Sequence, residues 1–593
     1  MKNSLLSLAA LPLLAACATT TGTELSQSPD PVEDAPSVLT TSIAESAPRT
    51  SSAVESSTGL VSAADPRAAQ AGAMILRKGG SATDAAIATM IALTVVEPQS
   101  SGIGGGGFFV RGDAAGNVST IDGREKAPAA AGPDWFLDEN GERLGYRDVV
   151  LTGLSIGVPG NLRLAEEAHR AHGKLEWAEL FQPAIQLARE GFVVTPRFNG
   201  YLARFKARAG SDGAAMALYF DEAGEPFAVN TKIRNPALAA TLERIASEGP
   251  DAFYDGAEGA ALAGQIASVT PRAEKMAPSD LSSYAAKPRD AVCGTYRGYR
   301  VCGMGPPSSG ATTVLAMLGQ LERFDLSAIG PDNATFWHLF AESQRLAYAD
   351  RERYLGDSDF VAVPTTWLTD PAYLASRGAM ISETSRLANV EAGIAPDMAL
   401  APPDGDEPVE NGTSHFVVVD AAGNAVSYTS TIEGPFGSGQ IFGGFYLNNE
   451  LTDFSFTPED GGRPVANRVE GGKRPRSSMS PTLVYAPDGT LFMAVGAAGG
   501  STIPVQTTKN IIAVIDFGLS LDDALALPVM FSPGDRMTLE EGTFLAQFTA
   551  QLEALGHTVG ERGLPLKANA LICKDGSCTG AADPRSEGAA VSE

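Results

Sequence analysis

Residues 410–431 read Glu-Asn-Gly-Thr-Ser-His-Phe-Val-Val-Val-Asp-Ala-Ala-Gly-Asn-Ala-Val-Ser-Tyr-Thr-Ser-Thr. Two runs in which apolar and polar residues alternate flank Ala421-Ala422-Gly423, which is typical of a three-residue hairpin loop with a positive φ at the glycine. If Asp420 faces Asn424 across this hairpin, Thr413 at the start of one strand lies opposite Thr431 at the end of the other. The sequence therefore predicts an antiparallel hairpin with two neighbouring hydroxyls at its open end.

Thr413 follows Asn411-Gly412, a flexible dipeptide on which backbone chemistry is easy. Within a chain, the threonine hydroxyl is a weak nucleophile with no base beside it. Cleavage of the Gly412–Thr413 bond would give Thr413 a free α-amine, whose ordinary pKa of about 7.7 to 8.0 makes it a usable base near neutral pH. The pattern thus suits a self-cleaving N-terminal nucleophile. The alternative is that Gly412-Thr413 merely opens a strand.

The composition describes a large globular protein with an acidic surface. The chain has 593 residues, 44% of them hydrophobic, and a formal net charge of −26. A phosphate backbone requires a basic surface, so this charge argues against sequence-independent binding to nucleic acid. A small-molecule substrate fits better.

The amino terminus has the pattern of an export signal. Residues 1–17 combine a basic start, an apolar run and the tetrapeptide Leu-Ala-Ala-Cys, which resembles a bacterial lipobox. We therefore expect cleavage before Cys17, lipidation of its thiol and a lipid-anchored periplasmic protein. Ala18 lacks the aspartate that would retain a lipoprotein at the inner membrane, which favours the outer membrane of a Gram-negative bacterium. The alternative is a cleaved signal with a chance cysteine.

Residues 18–58 are rich in Ser, Thr, Ala and Pro and hold almost no large apolar residues. Such a segment cannot bury enough surface to fold, so we predict a disordered tether between lipid and body. No other run is apolar and long enough to cross a bilayer.

The other four cysteines form two close pairs on predicted two-residue hairpins, Cys293 with Cys302 and Cys573 with Cys578. The turns are Arg297-Gly298 and Asp575-Gly576. Counting outward from each turn puts both pairs at non-hydrogen-bonded positions, where Cα atoms lie about 4.5 Å apart and a disulfide can form. Zinc is the competing use, but the spacing is not Cys-x-x-Cys and no histidine lies close by in the sequence.

Other catalytic patterns are weaker. The chain contains no His-Glu-x-x-His, so a metal hydrolase is not favoured and we expect no metal and no cofactor. Gly153-Leu154-Ser155-Ile156-Gly157 matches a nucleophile elbow, but Val158-Pro159-Gly160 follows it where a helix should begin, which favours a packed glycine turn. Of five histidines, only His415 lies near Thr413 in the sequence.

Six motifs together resemble the γ-glutamyltransferase family of N-terminal nucleophile hydrolases, over roughly residues 60–593. They are Asp122-Gly123-Arg124-Glu125, the turn 306–310 (Pro-Pro-Ser-Ser-Gly), Thr413 after an acidic linker, 448–454 (Asn-Asn-Glu-Leu-Thr-Asp-Phe), 474–481 (Arg-Pro-Arg-Ser-Ser-Met-Ser-Pro) and 496–500 (Gly-Ala-Ala-Gly-Gly). The resemblance implies an α+β fold of four layers, αββα, with two antiparallel sheets between helical layers. It also implies a large subunit, 59–412, and a small catalytic subunit, 413–593, that stay associated as a heterodimer.

For catalysis, the resemblance implies that Thr413 is the nucleophile of both self-cleavage and turnover, hydrogen-bonded to Thr431. Gly499 and Gly500 would supply the backbone amides of an oxyanion hole, a task that needs close approach and no side chain. The expected activity is transfer of a γ-glutamyl group, from glutathione or a related amide, to water, amino acids or peptides.

For donor binding, the resemblance implies that Arg124, Ser477 and Ser478 hold the α-carboxylate of the γ-glutamyl group. Glu450 and Asp453 would hold its α-ammonium.

Two departures from the family pattern bear on specificity. Glu433 stands where the best-known members carry Asn, which adds a third acid and should favour a donor with an ammonium group. The chain between Phe454 and Arg474 is shorter than in members with a long lid, which predicts a more open pocket and more hydrolysis. Two alternatives stay open: a cephalosporin or glutaryl acylase on the same scaffold, and a non-catalytic envelope lipoprotein.

Overall fold

The protein is described here by a computed structural model, which covers residues 53–396, Met398 and 412–593. The predicted signal peptide, the lipobox with Cys17 and most of the predicted tether lie outside the described residues. The described chain contains two seven-stranded sheets in which every neighbouring pair is antiparallel. The sheets pack face to face between two helical layers, so the four-layer αββα prediction is confirmed.

The first sheet holds the predicted hairpin with its loop at Ala421-Ala422-Gly423. In order across the sheet its strands are Ala589–Ser592, Leu60–Ala63, Ser414–Val419, Ala425–Thr431, Gly106–Gly112, Val118–Gly123 and Lys287–Arg289. Ser414 pairs with Ser430 and Val419 with Ala425, which is the predicted register. Gly423 takes a φ of 81° in the loop, as expected for the glycine of this turn.

The second sheet carries both disulfides on its hairpins. In order across the sheet its strands are Val54–Ser56, Ser577–Ala582, Lys567–Lys574, Leu491–Ala498, Thr482–Tyr485, Tyr299–Gly303 and Val292–Tyr296. Cys293 bonds to Cys302 with Cα atoms 4.1 Å apart, and Cys573 bonds to Cys578 with Cα atoms 4.0 Å apart. The two predicted disulfides are therefore confirmed.

Helices cover the outer face of each sheet. Against the first sheet lie Pro66–Arg77, Ala82–Val96, Asn161–His172, Trp177–Glu190, Pro196–Arg204, Pro236–Glu248 and Gly256–Ser268. Against the second lie Gly310–Leu321, Ala334–Tyr354, Pro371–Gly378, Ile503–Ile515, Leu521–Ala526 and Thr549–Ala554. The helix Ala82–Val96 begins at a capping box of Ser81 and Asp84 and is buried along its whole length, because it lies between the sheet and the helix Trp177–Glu190.

Short elements complete the described chain. The short helices are Tyr146–Val149, Lys206–Ala209, Gly213–Tyr219, Asp251–Tyr254, Pro278–Ser282, Leu326–Ile329 and Thr365–Leu368, with 3₁₀ turns at Glu450–Asp453, Gly500–Thr502 and Phe544–Phe548. The small strands are Phe192–Val193, Lys232–Ile233, Ile441–Phe442, Phe445–Tyr446, Glu459–Asp460, Arg463–Pro464, Met530–Phe531, Arg536–Glu540 and Thr558–Arg562.

The end of the predicted tether is ordered. Val54–Ser56 pairs with the edge strand Ser577–Ala582, and the N–H of Ala53 donates to the carboxylate of Asp522 at 3.1 Å. The prediction of disorder over 18–58 is therefore wrong for its last residues. Composition reflects only side-chain burial, whereas an edge strand is held by backbone hydrogen bonds and needs few apolar side chains.

Candidate active site

The site forms at the open end of the first-sheet hairpin, where Gly412 and Thr413 are buried. The hydroxyl of Thr413 donates to Oγ1 of Thr431 at 3.2 Å. The backbone N–H of Glu433 donates to the same oxygen at 2.8 Å. The hairpin register thus brings the two threonines together, and the turn after the second strand orients the hydroxyl of Thr431.

The backbone around Gly412-Thr413 is tightly constrained. Thr413 has a φ of 126°, a region that residues with a side chain rarely adopt. A Cβ on Gly412 would lie 1.6 Å from the carbonyl oxygen of Glu433, so no residue but glycine fits before Thr413. The peptide bond preceding Thr413 is therefore held in a strained geometry against the 433–434 backbone.

A glycine loop ends the central strand Leu491–Ala498 beside Thr413. Gly499 has a φ of 128° and Gly500 a φ of 59°, and a Cβ on Gly499 would lie 2.0 Å from the carbonyl oxygen of Pro565. Neither backbone N–H donates a hydrogen bond to any described residue. Gly499 lines the same cavity as Thr413. The loop thus has two backbone amides that donate to no described residue, and Gly499 shares a cavity with Thr413, which suits stabilisation of an oxyanion.

Arg124 is buried at 1% exposure and bonded on every side. Its guanidinium donates to Glu450 and to Asp453, and also to the carbonyl oxygens of Pro475 at 3.2 Å and Arg476 at 2.8 Å. The predicted carboxylate ligand therefore contacts both predicted ammonium ligands directly, a contact that the sequence did not indicate. An α-amino acid carries the complementary charges: its carboxylate can pair with the guanidinium, and its ammonium can pair with the two acids.

Burial raises the pKa of two acids at this cluster, Glu450 and Glu125, so both are easy to protonate. Burial raises the pKa of Glu450 well above its ordinary value, and the nearby carboxylates of Glu125 and Glu433 raise it further, while Arg124 opposes both. Burial likewise raises the pKa of Glu125 to about 8. The Asp-Gly-Arg-Glu motif contains Glu125 but indicates no role for it, because its burial beside Glu450 depends on a segment far away in the sequence.

Asn449 holds the third acid in place. Its amide donates to the carboxylate of Glu433 and, at 3.1 Å, to Oγ1 of Thr452. Its Oδ1 accepts from the N–H of Gly434 at 2.9 Å. Glu433, which is 5% exposed, is thus fixed beside the Glu450–Asp453 turn rather than free in solvent.

The serine pair is braced from behind by a helix. Ser477 is bridged to the 306–310 turn, since its carbonyl oxygen accepts from the N–H and the hydroxyl of Ser309, both at 2.8 Å. Nη2 of Arg351, in the last turn of the helix Ala334–Tyr354, donates to Oγ of Ser478 at 2.7 Å. Arg351 carried no sequence signal, as it lies in an ordinary long helix.

Two cavities meet at Gly412 and Thr413. The donor cavity is also lined by Arg124, Thr431, Glu433, Glu450, Asp453, Ser477 and Met479. The glycine-loop cavity is also lined by Ser100, Arg197, Tyr201, Ala498, Gly499, Pro565 and Lys567. The described structure therefore brings the predicted nucleophile, partner threonine, arginine, three acids and Ser477 to one cavity, with Ser478 behind it and the glycine loop on the other side.

Two other candidates are structural. Nδ1 of His415 lies 2.9 Å from Oγ1 of Thr429, its ring packs against Gly496, and burial lowers its pKa to about 3, which keeps the ring neutral. Ser155 is buried and its hydroxyl donates to the carbonyl oxygen of Val150 at 2.9 Å, as expected of a packed turn.

Among the described residues, no helix combines the length and the apolar character needed to span a bilayer.

Comparisons with known proteins agree with this geometry. The family model described as gamma-glutamyltranspeptidase matches residues 68–592. The glutathione hydrolase proenzyme of Escherichia coli (strain K12) is 36% identical over 547 residues, covering 90% of this chain and 91% of the relative. The acylase ACY 1 proenzyme of Pseudomonas sp. (strain V22) is also 36% identical over 547 residues, covering 90% of this chain and 93% of the relative.

Among solved structures, the cephalosporin acylase from Bacillus halodurans matches with a TM-score of 0.77 and 26% identity, over 93% of this chain and 98% of that one. The arrangement around Thr413 and a family match over most of the chain lead to one conclusion: this protein belongs to the γ-glutamyltranspeptidase family.

Proposed function

We propose that this protein is an autoprocessing γ-glutamyltransferase and glutathione hydrolase. The observation that carries the proposal is the position of Thr413. On one side lies a cavity lined by a buried arginine and three acids, and on the other a glycine loop whose two backbone amides donate to no described residue. The first suits an α-amino acid group, and the second suits the carbonyl oxygen of the acyl group attached to it.

Self-cleavage comes first. The Thr413 hydroxyl attacks the carbonyl carbon of Gly412, the C–N bond breaks, and the Gly412 acyl group moves to Oγ1 while the nitrogen of Thr413 becomes an amine. Water then hydrolyses this ester, which frees the hydroxyl and leaves Gly412 with a carboxylate. The strained backbone at Thr413 and the hydrogen bond to Thr431 support this step, since both hold the hydroxyl and the peptide in one arrangement.

Turnover uses the new amine as base. The amine takes the hydroxyl proton as Oγ1 of Thr413 attacks the γ-carbonyl carbon of the donor, and the negative charge on the carbonyl oxygen is stabilised by the amides of Gly499 and Gly500. The C–N bond of the donor breaks, and the leaving amine takes the proton. Water or an acceptor amine then attacks the ester and releases the γ-glutamyl group.

Donor recognition follows from charge. In this proposal the α-carboxylate binds Arg124 and the hydroxyls of Ser477 and Ser478, while the α-ammonium binds Glu450 and Asp453. Glu433 adds a further negative charge on the ammonium side. An acyl group without an ammonium would give these buried acids no cationic partner from the ligand, which makes its binding free energy less favourable.

The second candidate is a cephalosporin or glutaryl acylase, and one observation favours it: an acylase proenzyme is as similar to this chain as the E. coli glutathione hydrolase proenzyme is. The acidic donor cavity opposes it, since a glutaryl group carries no ammonium. A non-catalytic envelope lipoprotein is the third candidate, and proenzyme relatives over most of the chain oppose it.

One experiment tests all three candidates. Intact-mass analysis of the wild type is expected to give a fragment that begins at Thr413, which Thr413→Ala does not form. The processed wild type is expected to hydrolyse γ-glutamyl-p-nitroanilide much faster than glutaryl-p-nitroanilide. A single uncleaved chain would support the lipoprotein, whereas cleavage with a preference for the glutaryl donor would support the acylase.

The location is proposed on sequence grounds: export to the periplasm and a lipid anchor at Cys17, with the outer membrane favoured by Ala18. Detergent-dependent release of the full chain from membranes, lost in Cys17→Ser, is the expected result.

A further inference from the structure

The glycine-loop cavity lies where the second half of the reaction must take place. With a donor's α-amino acid group in the donor cavity and its carbonyl oxygen on the amides of Gly499 and Gly500, the scissile nitrogen points away from the donor cavity. The glycine-loop cavity borders both Thr413 and Gly499. It is therefore the space through which the leaving amine departs and an acceptor amine arrives.

In the part of the chain that the structure describes, two cations line this cavity, but one of them is already neutralised. Nζ of Lys567 lies 3.1 and 2.9 Å from the two carboxylate oxygens of Glu97 and 3.5 Å from Oγ of Ser414, the residue after the nucleophile. Oγ of Ser414 in turn donates to Glu97 at 2.5 Å. These three side chains are buried and bonded to one another, and they hold the strand that begins after Thr413 in place. Because the charges of Lys567 and Glu97 cancel, the cluster presents no net charge to the cavity.

Arg197, at the start of the helix Pro196–Arg204, is different. Of its five side-chain N–H donors, Nη2 reaches Tyr201 Oη at 3.4 Å, and the guanidinium lies 5.2 Å from the centre of that ring. Its Nε is buried and has no hydrogen-bond partner, and no carboxylate lies within ion-pair distance among the residues that the structure describes. The guanidinium is thus oriented by Tyr201 and retains donors for a ligand.

We propose that the glycine-loop cavity binds the leaving amine and the acceptor, and that Arg197 binds a carboxylate carried by that group. This inference rests on the proposed function, because it describes the second substrate of the same reaction. A planar guanidinium with free N–H donors suits a carboxylate, to which it donates two parallel hydrogen bonds. The preferred partners are therefore amino acids and peptides with a free carboxylate rather than their amides or neutral amines.

A matched pair of donors tests the leaving-group half. γ-Glutamyl-3-carboxy-4-nitroanilide and γ-glutamyl-p-nitroanilide differ by one carboxylate on the leaving group, and kcat/KM reports the acylation step in which that group departs. In Arg197→Gln we expect kcat/KM to fall about tenfold for the carboxylated donor and less than about twofold for the neutral one, as for loss of one charge-assisted bond. Arg197→Lys should recover part of the difference.

The acceptor half uses glycylglycine and glycylglycinamide at equal concentration. The wild type is expected to transfer the γ-glutamyl group preferentially to the peptide with the free carboxylate, and Arg197→Gln is expected to lose this preference. Arg204→Gln, on the exposed last turn of the same helix and outside the cavity lining, is the matched control and should behave as the wild type in both assays.

The outcomes separate the two proposals. Equal losses on both donors in Arg197→Gln, or an unchanged acceptor preference, would overturn the role of Arg197 while leaving the proposed function intact. No turnover of either γ-glutamyl donor by the processed wild type would overturn the proposed function itself. Intact-mass analysis of each variant shows whether it has folded and cleaved.

Discussion

Among the described residues that line the donor cavity, Arg124 is the one cation, whereas Glu433, Glu450 and Asp453 bring three carboxylates to it. Arg124 is already paired with Glu450 and Asp453. A bound α-carboxylate competes with these acids for the guanidinium. The α-ammonium of the same ligand can then pair with the acids, so each of them still has a cationic partner. At the scale of single residues, the excess of acid over base explains why an amino acid should bind better than a simple dicarboxylic acyl group.

Glu433→Gln tests this excess of charge. The substitution keeps the shape of the side chain and its contact with Asn449, but removes one negative charge near the ammonium position. We expect kcat/KM for γ-glutamyl-p-nitroanilide to fall about tenfold, as for loss of one interaction of about 1.4 kcal/mol, while kcat/KM for glutaryl-p-nitroanilide stays level or rises. Glu553→Gln, on an exposed helix face, is the control. A fall by the same factor for both donors would contradict this role for Glu433.

Glu125 predicts a pH dependence of stability. Burial raises its pKa from an ordinary value of about 4.5 to about 8, so the folded protein holds a proton that the unfolded chain has released over this range. This contribution to stability is fully present below about pH 4.5 and is lost as the pH rises through about 8, at up to about 1.4 kcal/mol per pH unit.

The measurement for Glu125 is the unfolding temperature from pH 5 to pH 8, at one scan rate. We expect the wild type to lose more of its unfolding temperature over this range than Glu125→Gln, which has no proton to release. Glu553→Gln should follow the wild type. Parallel curves for the wild type and Glu125→Gln would show that the carboxyl group of Glu125 is ionised in the folded protein throughout.

At the scale of secondary-structure elements, local rules predicted local structure. The hairpin register and both cysteine pairs depend on neighbouring residues and on strand alternation, and both predictions agree with the structure. The contact of Arg124 with Glu450 spans 326 positions, and that of Arg351 with Ser478 spans 127. No period or spacing encodes such contacts, because they arise only when the sheets and helices have packed. The motif resemblance, rather than periodicity, indicated which residues would line one site, but it did not indicate these two contacts.

The hairpin also explains why glycine precedes Thr413, the proposed nucleophile. Alanine at 412 would place a Cβ 1.6 Å from the carbonyl oxygen of Glu433, and the scissile peptide would have to move away from its present position. We expect Gly412→Ala to fold but to cleave at least about a hundredfold more slowly, because a small misplacement of reacting atoms is costly.

Gly423→Ala, at the opposite end of the same hairpin, is the matched control for Gly412→Ala. It has a φ of 81° with no close atom around a Cβ, so alanine there should cost about 1 kcal/mol of stability without slowing cleavage. Cleavage is followed by intact mass over time. Equal cleavage rates in both variants would show that the scissile peptide tolerates displacement.

At the scale of the whole molecule, the predicted cut does not divide the fold. Five strand pairs join residues before Gly412 to residues after it: Val54–Ser56 with Ser577–Ala582, Leu60–Ala63 with Ser414–Val419 and with Ala589–Ser592, Gly106–Gly112 with Ala425–Thr431, and Tyr299–Gly303 with Thr482–Tyr485. Both sheets therefore contain strands from both predicted subunits. The ion pairs Arg124–Glu450 and Lys567–Glu97 also cross the cut and are buried.

The two fragments should consequently behave as one body. We expect processed protein to elute as a single species of full-chain mass in size-exclusion chromatography with multi-angle light scattering, also at 1 M salt. Salt screens exposed charges but leaves backbone ladders and buried apolar contacts in place. Denaturant should release both fragments in the same transition in which the sheets unfold, since neither fragment can complete a sheet alone. Separation of the fragments at high salt, with the secondary structure of each retained, would contradict a shared pair of sheets and would place the association at a surface contact instead.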